Sequence, residues 1–463
     1  MSANLTTDAI EAALAARLAK AKAKKPQRVG IPQRPADAAV VLSSAQRRLW
    51  FLHQLAPDSS AYTLPVAWRL RGALDGSRLR AAVVAVVESA DALRTFYRAT
   101  DGTPTAVLAE ADALEWREFD GLEEFGSEVR RPFDLEQAAP FRASLFRVGA
   151  DEHVLLLCVH HIAADGWSMG LIADRLGAVY GGAALVAGTQ YADVAYWQQQ
   201  RSSDGDLAYW REQLADSPRP VELPGDRSRP AHPSDAGAQY SFELDETLTT
   251  QLRALAASEQ VSTFMCLVAA FQVLCARQAG LDDVIVAAPV SGRDAVPELR
   301  TVVGCLVETV LLRARNFSTS TGHELLQQVR NTVLEATEHA AAPFEEVAAL
   351  LPYPAEGRPP YSVLFSATHV PRVDLSLAGV RTEPLTIEAP ARKVDLTMEV
   401  ADLGGPTISA SITYSTELFD ASTIERFAHQ YLLLLEGLDS STPVSRLPLL
   451  TPAEQTKLLA PRP

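Results

Sequence analysis

Two adjacent imidazoles open the run His160-His161-Ile162-Ala163-Ala164-Asp165-Gly166. A free imidazole titrates at about pH 6.5, so it can take or give a proton near neutrality. An amine or hydroxyl attacking an acyl carbonyl must lose a proton on the way. A base positioned for that transfer contributes about 10²–10⁴-fold to the rate. Successive strand residues point to opposite faces, so at a strand end only one of the two rings can face a given cavity. A packed, satisfied histidine is the plain alternative. The carboxylate and glycine just beyond the pair, followed by an aromatic residue and a helix pattern, favour chemistry.

Two other chemistries fit the same residues. Gly166-Trp167-Ser168-Met169-Gly170 has the G-x-S-x-G spacing of a nucleophile elbow, and a helix pattern follows it. An elbow needs its strand to run straight into the first glycine, however, and six residues separate Val159 from Gly166. The downstream histidines His232, His323, His339, His369 and His429 could complete a triad, whereas the helix reading makes Ser168 an N-cap. His160, His161 and Asp165 could also bind a metal, but neighbouring strand residues diverge and no H-E-x-x-H occurs.

The elements that must hold these residues are legible in outline. Val154–Val159 is an apolar run of strand length. After Ser168, the residues Ile172, Leu176 and Val179 recur at helical spacing, with Gly181-Gly182 as the stop. The histidine pair is therefore expected at the end of a buried strand, ahead of a helix. Further strands are expected at 284–288 and 307–312, and helices at 249–256 and 264–276. Residues 8–23 pattern as an amphipathic helix capped by Asp8, continuing into a Lys-rich linker. Prolines 218, 220, 224, 230 and 233 mark a connecting stretch within 202–237. A shorter break runs over 352–360.

The 463 residues exceed one usual domain, and 47% hydrophobic with 21% charged residues is an ordinary globular composition. The formal net charge of −15 argues against a nucleic-acid partner. No stretch has the apolar length of a membrane span and no signal-peptide pattern begins the chain. The reading is a soluble cytoplasmic protein with no membrane partner. Cys158, Cys266, Cys275 and Cys305 each sit in apolar runs without metal-ligand spacing and read as buried, reduced thiols.

The segment His160 to Ser168 resembles the HHxxxDG motif of condensation domains of nonribosomal peptide synthetases. The resemblance continues in the family's order over roughly residues 40–455. Leu42 to Leu52 matches the opening motif, and Tyr191 to Trp197 the motif after the histidines. Pro289-Val290-Ser291-Gly292-Arg293, Val303-Gly304, Pro343-Phe344-Glu345, Val363-Leu364-Phe365 and Leu418-Phe419-Asp420 match the later ones.

The resemblance implies an α/β fold of two chloramphenicol-acetyltransferase-like lobes, arranged as a V-shaped pseudo-dimer with a central tunnel. Residues 1–36 would be a helix and linker, 37–210 the first lobe, 211–447 the second and 448–463 a linker-like tail. It implies an acyltransferase that joins a carrier-bound thioester donor to the amine or hydroxyl of a carrier-bound acceptor. No cofactor would be attached to the chain itself; donor and acceptor peptidyl carrier proteins would bring their phosphopantetheine arms. By the same resemblance His161 faces the tunnel, His160 orients the loop, and Gly166 offers a backbone N–H to the oxyanion. Asp165 would pair with Arg293, and Trp167 would give support. Leu447 to Glu454 resembles the linker into an adenylation domain.

Three departures stand out. Ser89-Ala90-Asp91 replaces Arg-His-Glu, Ala340-Ala341-Ala342 follows His339, and Val307-Glu308-Thr309 replaces Val-Asn-Thr. Glu308 would tune the acceptor side, either through the pKa of His161 or by meeting a cationic acceptor. The open alternatives are a relative of the same fold turned to epimerisation, to cyclisation (which would have Asp in place of His160) or to acyl transfer to a free small molecule, a recruitment module without catalysis, and the serine hydrolase.

Overall fold

The computed structural model describes residues 30–100, 102–110, 114–186, 188–230, 234–351, 360–367, 373–387, 392–451 and 454–456. The expected helix at 8–23, most of the 352–360 break, His232 and His369 lie outside them.

The first half of the chain runs α1 (Ser44–Leu55), β1 (Thr63–Arg71), α2 (Gly76–Glu88), β2 (Thr95–Thr100), β3 (Thr103–Leu108), β4 (Glu115–Asp120), α3 (Phe125–Arg130), β5 (Phe141–Gly149), β6 (Glu152–His160), α4 (Gly166–Tyr180), α5 (Tyr191–Gln199) and α6 (Asp204–Gln213). The second half adds β7 (Gly237–Leu244), α7 (Glu246–Glu259), α8 (Thr263–Ala279), β8 (Asp283–Ser291), β9 (Val307–Arg315), α9 (Gly322–Glu338), α10 (Phe344–Ala348), β10 (Val363–Ala367), β11 (Arg381–Leu385), β12 (Leu396–Ala401), β13 (Ile408–Ser415) and α11 (Ala421–Gly437).

Two main sheets form, each over its own apolar core. The first has the order β11-β1-β6-β5-β4 and the second β7-β13-β12-β10-β8-β9. Strand β6 is central in the first sheet, paired antiparallel to both β1 and β5. Its residues Val154 to Val159 are all buried, which is why the sequence there is apolar without alternation. In the second lobe α8 is buried over most of its surface and is correspondingly apolar all round. No single helix among the described residues is long and apolar enough to cross a membrane; α7 and α8 together reach the length but meet at a 103° bend.

A division of the chain at residue 210 is too simple. Strand β11 comes from the second half, yet it pairs with β1 in register Ala67 to Leu385 and completes the first sheet. Val296, Leu299, Val302, Val303, Cys305 and Leu306, with Leu375, Leu377 and Val380, pack into the first core. Trp210, conversely, lies in the second core and donates its indole N–H to the carbonyl of His339 at 2.9 Å. The physical reason is an edge: without β11, β1 would expose unpaired backbone groups. The indole of Trp68 ties down the same segment by donating to the carbonyl of Val373 at 2.8 Å.

Gly177 shows how closely that segment sits on α4. A Cβ there would lie 2.4 Å from the backbone oxygen of Ser376. Gly to Ala inside a helix ordinarily stabilises by about 1 kcal/mol. Here the clash reverses the sign, and Gly177→Ala is expected to lower the thermal midpoint; a calorimetric midpoint at or above wild type would contradict this packing.

Candidate active site

His160 is the last residue of β6, and its partner across β1 is Thr63. The pairing is extended by one bond, in which the N–H of His161 donates to the carbonyl of Tyr62 at 2.7 Å. The two imidazoles then diverge as the pleat requires. His160 is buried, with its Nδ1 accepting the N–H of Ile162 at 3.1 Å. Around it are the rings of His53, Tyr62 and Phe133, at 6.0, 6.4 and 5.9 Å between centroids. Burial pushes its pKa down to about 3, with His53, Lys393 and Arg142 acting in the same direction. A ring so placed stays neutral and works as an internal prop.

His161 keeps partial access to solvent. Burial still holds its imidazole well below the usual histidine value; Lys393, His160 and Arg48 add to the effect, and a hydrogen bond to the residue's own backbone opposes it. The Sγ of Cys305 lies 3.7 Å from the ring's Nδ1. Among the described residues Nε2 has no hydrogen-bond partner. Cys305 itself is inert as a nucleophile, because burial pushes its thiol up to about 12.

The turn beyond is fixed from the other half of the chain. Asp165 is the N-cap of α4, accepting from the N–H of Ser168 at 2.8 Å. Arg293 approaches both its oxygens at 2.8 and 2.9 Å, and the pair is almost wholly buried, at 3% and 1%. Arg293 also donates to the carbonyls of Leu299, Val302 and Gly304 and to the hydroxyl of Ser168. The N–H of Leu306 reaches the second carboxylate oxygen at 3.0 Å. Trp167, about half exposed, donates its indole N–H to the carbonyl of Arg300 at 2.9 Å. Gly304 lies flat against Tyr191, whose hydroxyl donates to the carbonyl of Cys305 at 2.6 Å. Through that hydroxyl, Ser43 at the cap of α1 joins the same assembly.

Gly166 is the first residue of α4, so its N–H has no partner within the helix, and the space beside it is open. Its N–H and the positive end of a 15-residue helix suit a developing oxyanion.

Two sequence expectations change. Asp165 caps the helix, not Ser168, because the helix begins at Gly166 and the Asp165 carboxylate accepts from the third N–H of its first turn. Ser168 is fully buried, and its hydroxyl bonds to Asp165, Gly304 and Arg293 with no imidazole among its partners. The serine-hydrolase reading therefore fails on geometry. His339 pairs instead with Asp206, and His323 with Glu259. Among the described residues no group of three or more His, Cys, Asp or Glu side chains is placed to hold a metal.

Glu308 lies on β9 opposite Val290. Burial raises its carboxyl to about 7, against the pull of Arg48 and with help from Glu345. Arg48 donates to the hydroxyl of Thr309, the neighbour of Glu308, at 3.3 Å and lies over the ring of Phe344. Sequence reasoning missed Arg48, Tyr62, Lys393 and the Cys305 contact. Each is a single residue in an ordinary context, and only the fold brings them together.

Two sheets, each over its own apolar core, make a mixed α/β fold of the chloramphenicol-acetyltransferase-like kind. Comparison with known proteins narrows this. The condensation-domain model matches residues 37–459. A linear gramicidin synthase polypeptide of Brevibacillus parabrevis is 34% identical over 92% of this chain and 6% of its own length. The dimodular nonribosomal peptide synthase of Bacillus subtilis strain 168 is 33% identical over 99% of this chain and 20% of its own. The chain thus spans a small part of these relatives. The X-domain from teicoplanin biosynthesis, solved alone and in complex with OxyB, has the same fold. Alone, it superposes with a TM-score of 0.83 at 26% identity over 91% of this chain and all of its own. The chain belongs to the condensation-domain family, the acyltransferases that form peptide bonds in nonribosomal peptide synthetases.

Removing one partner of a buried ion pair costs about 3–5 kcal/mol. Arg293→Leu, which strands the Asp165 carboxylate, is expected to lower folding stability by that order. Denaturant unfolding measures it, and a loss under about 1 kcal/mol would show that the pair does not hold the turn.

Proposed function

We propose that the chain condenses a carrier-bound acyl or peptidyl thioester with the amine, or the hydroxyl, of a carrier-bound acceptor. The observation that supports this most directly is His161: neutral, partly accessible, fixed at a strand end, with Nε2 free. An amine that has become neutral attacks the thioester carbonyl and forms the C–N bond, and the carbonyl electrons move to oxygen. Nε2 accepts the proton that the nitrogen sheds. The oxyanion lies toward the N–H of Gly166. As the C–S bond breaks, His161 returns the proton to the departing thiolate. Asp165 and Arg293 act through the turn they hold and touch no substrate.

The arms that carry both substrates are phosphopantetheine on donor and acceptor carrier proteins, and they enter as parts of the substrates. The tail through Glu454 leads toward an adenylation domain in this reading. His161→Ala is expected to cut product formation about 10²–10⁴-fold, read by intact-protein mass spectrometry of the acceptor carrier. Product formed at an unchanged rate would overturn the mechanism. The teicoplanin X-domain is known in complex with OxyB, and recruitment of a partner protein, here without catalysis, is the second reading. Failure to form product with any carrier pair would favour it.

Glu308 is the acceptor-side element of this proposal. With its carboxyl raised to about 7, it is neutral in mild acid and becomes anionic as the pH rises through neutrality. Preference for acceptors with a cationic side chain over neutral ones should therefore grow between pH 6 and 8. Glu308→Asn should abolish that trend, and a competition assay with paired acceptors decides it.

A further inference from the structure

Among the described residues, the side chain at hydrogen-bonding distance of the His161 ring is that of Cys305. Its Sγ lies 3.7 Å from Nδ1, within the longer reach of sulfur. It comes from the second half of the chain, whereas the backbone of His161 is tied to the first lobe through the carbonyl of Tyr62. A free cysteine in a core ordinarily acts as a small apolar residue that needs no partner. Cys266 and Cys275 pack in that manner within the second core. Cys305 meets an imidazole instead.

The backbone around this thiol is held at each step. Gly304 donates its N–H to the hydroxyl of Ser168 at 3.1 Å, and its carbonyl accepts from Arg293 at 3.1 Å. The carbonyl of Cys305 accepts from the hydroxyl of Tyr191 at 2.6 Å. Leu306 donates its N–H to Asp165 at 3.0 Å and accepts the N–H of Gly292 at 2.8 Å. The residues on either side of Cys305 therefore hang on the same assembly of Asp165, Ser168 and Arg293 that fixes α4. A backbone held this firmly delivers the sulfur to one place. Being buried, the sulfur stays a thiol at neutral pH. Such a group neither attacks a thioester nor carries a proton; it can hold the nitrogen it touches.

We propose that Cys305 is a positioning residue for the condensation step: its sulfur accepts the Nδ1–H of His161 and so keeps Nε2 bare for the acceptor. The inference rests on the proposed carrier-dependent reaction. A neutral imidazole has one hydrogen for two nitrogens, and the bond made at one of them decides which carries it. A buried N–H without an acceptor is costly, whereas a thiol is a weak donor and loses little by leaving its hydrogen unpaired. The sulfur is therefore the accepting side of the contact. The reverse arrangement, with the thiol donating to Nδ1, would put the ring's hydrogen on Nε2 and stop it from taking a proton. No bond forms or breaks at Cys305, and its thiol keeps its hydrogen throughout. One anchored assembly thus sets both the Gly166 N–H offered to the oxyanion and the ring nitrogen offered to the amine. The spacing between the two is fixed before substrate arrives.

The test uses the full chain with isotope-labelled histidine, comparing wild type with Cys305→Ala and Cys305→Ser. The nitrogens of the His161 ring, assigned through His161→Gln, are read by NMR near neutral pH without substrate. Wild type is expected to show a single tautomer with its hydrogen on Nδ1, and Cys305→Ala a ring averaged between the two tautomers. In the condensation assay Cys305→Ala should lower kcat about three- to tenfold, the effect of one modest hydrogen bond. The KM for the acceptor carrier should change less than about twofold. Cys305→Ser, which keeps a polar partner, should hold the tautomer and recover most of the rate. A wild-type hydrogen on Nε2, or a Cys305→Ala ring identical to wild type, overturns the proposal. So does an equal rate loss in both variants, since packing rather than the polar contact would then be at work. If no carrier pair yields product, the ring spectra still decide whether Cys305 sets the tautomer, and it is the condensation reading that falls.

Discussion

The ion pair between Asp165 and Arg293 is the constraint on which the site depends. It joins the first residue before α4 to the loop after β8, across the two halves of the chain, at nearly complete burial. A pair so dry is stable only when its remaining donors and acceptors are met. Most of them are, by three carbonyls, one hydroxyl and two backbone N–H groups. With α4 pinned in this way, Gly166 presents its N–H at a fixed point. The His161 residue is pinned separately, through the bond from its backbone N–H to the carbonyl of Tyr62.

Electrostatics then divides the labour between the two adjacent histidines. Both are neutral because both are largely desolvated. His160, however, spends its nitrogen on the neighbouring backbone and is walled by aromatic rings. His161 keeps Nε2 free. One residue of displacement along the chain turns an internal prop into a candidate base, since the pleat sends the two side chains to opposite sides.

Much of this was legible beforehand, and the limits are physical. The buried strand before the histidines shows in its unbroken apolar run, and α4 in its helical spacing, because both patterns follow directly from local burial. The order of motifs placed Asp165, Gly166 and Arg293 within one family's scheme. The cap falls on Ser168 in the sequence and on Asp165 in the structure, since both are good capping types and only the backbone chooses between them. The capture of β11 by the first sheet left no trace, because a five-residue strand looks the same whichever edge it joins. Lys393 was silent for a similar reason: a lone lysine before a strand carries no periodicity, and it meets the Tyr62 ring only where the second half folds over it.

The shared first sheet also bears on how such domains could be recombined. Because a late segment supplies its outer strand, a chimera spliced once between the halves would inherit a rim strand and its neighbour from different parents. The junction to preserve is therefore the ladder from Ala67 to Leu385, together with the stretch over α4 that leads into it. A workable exchange would carry both pieces as one unit, with two splice points in the second half rather than a single cut in the linker.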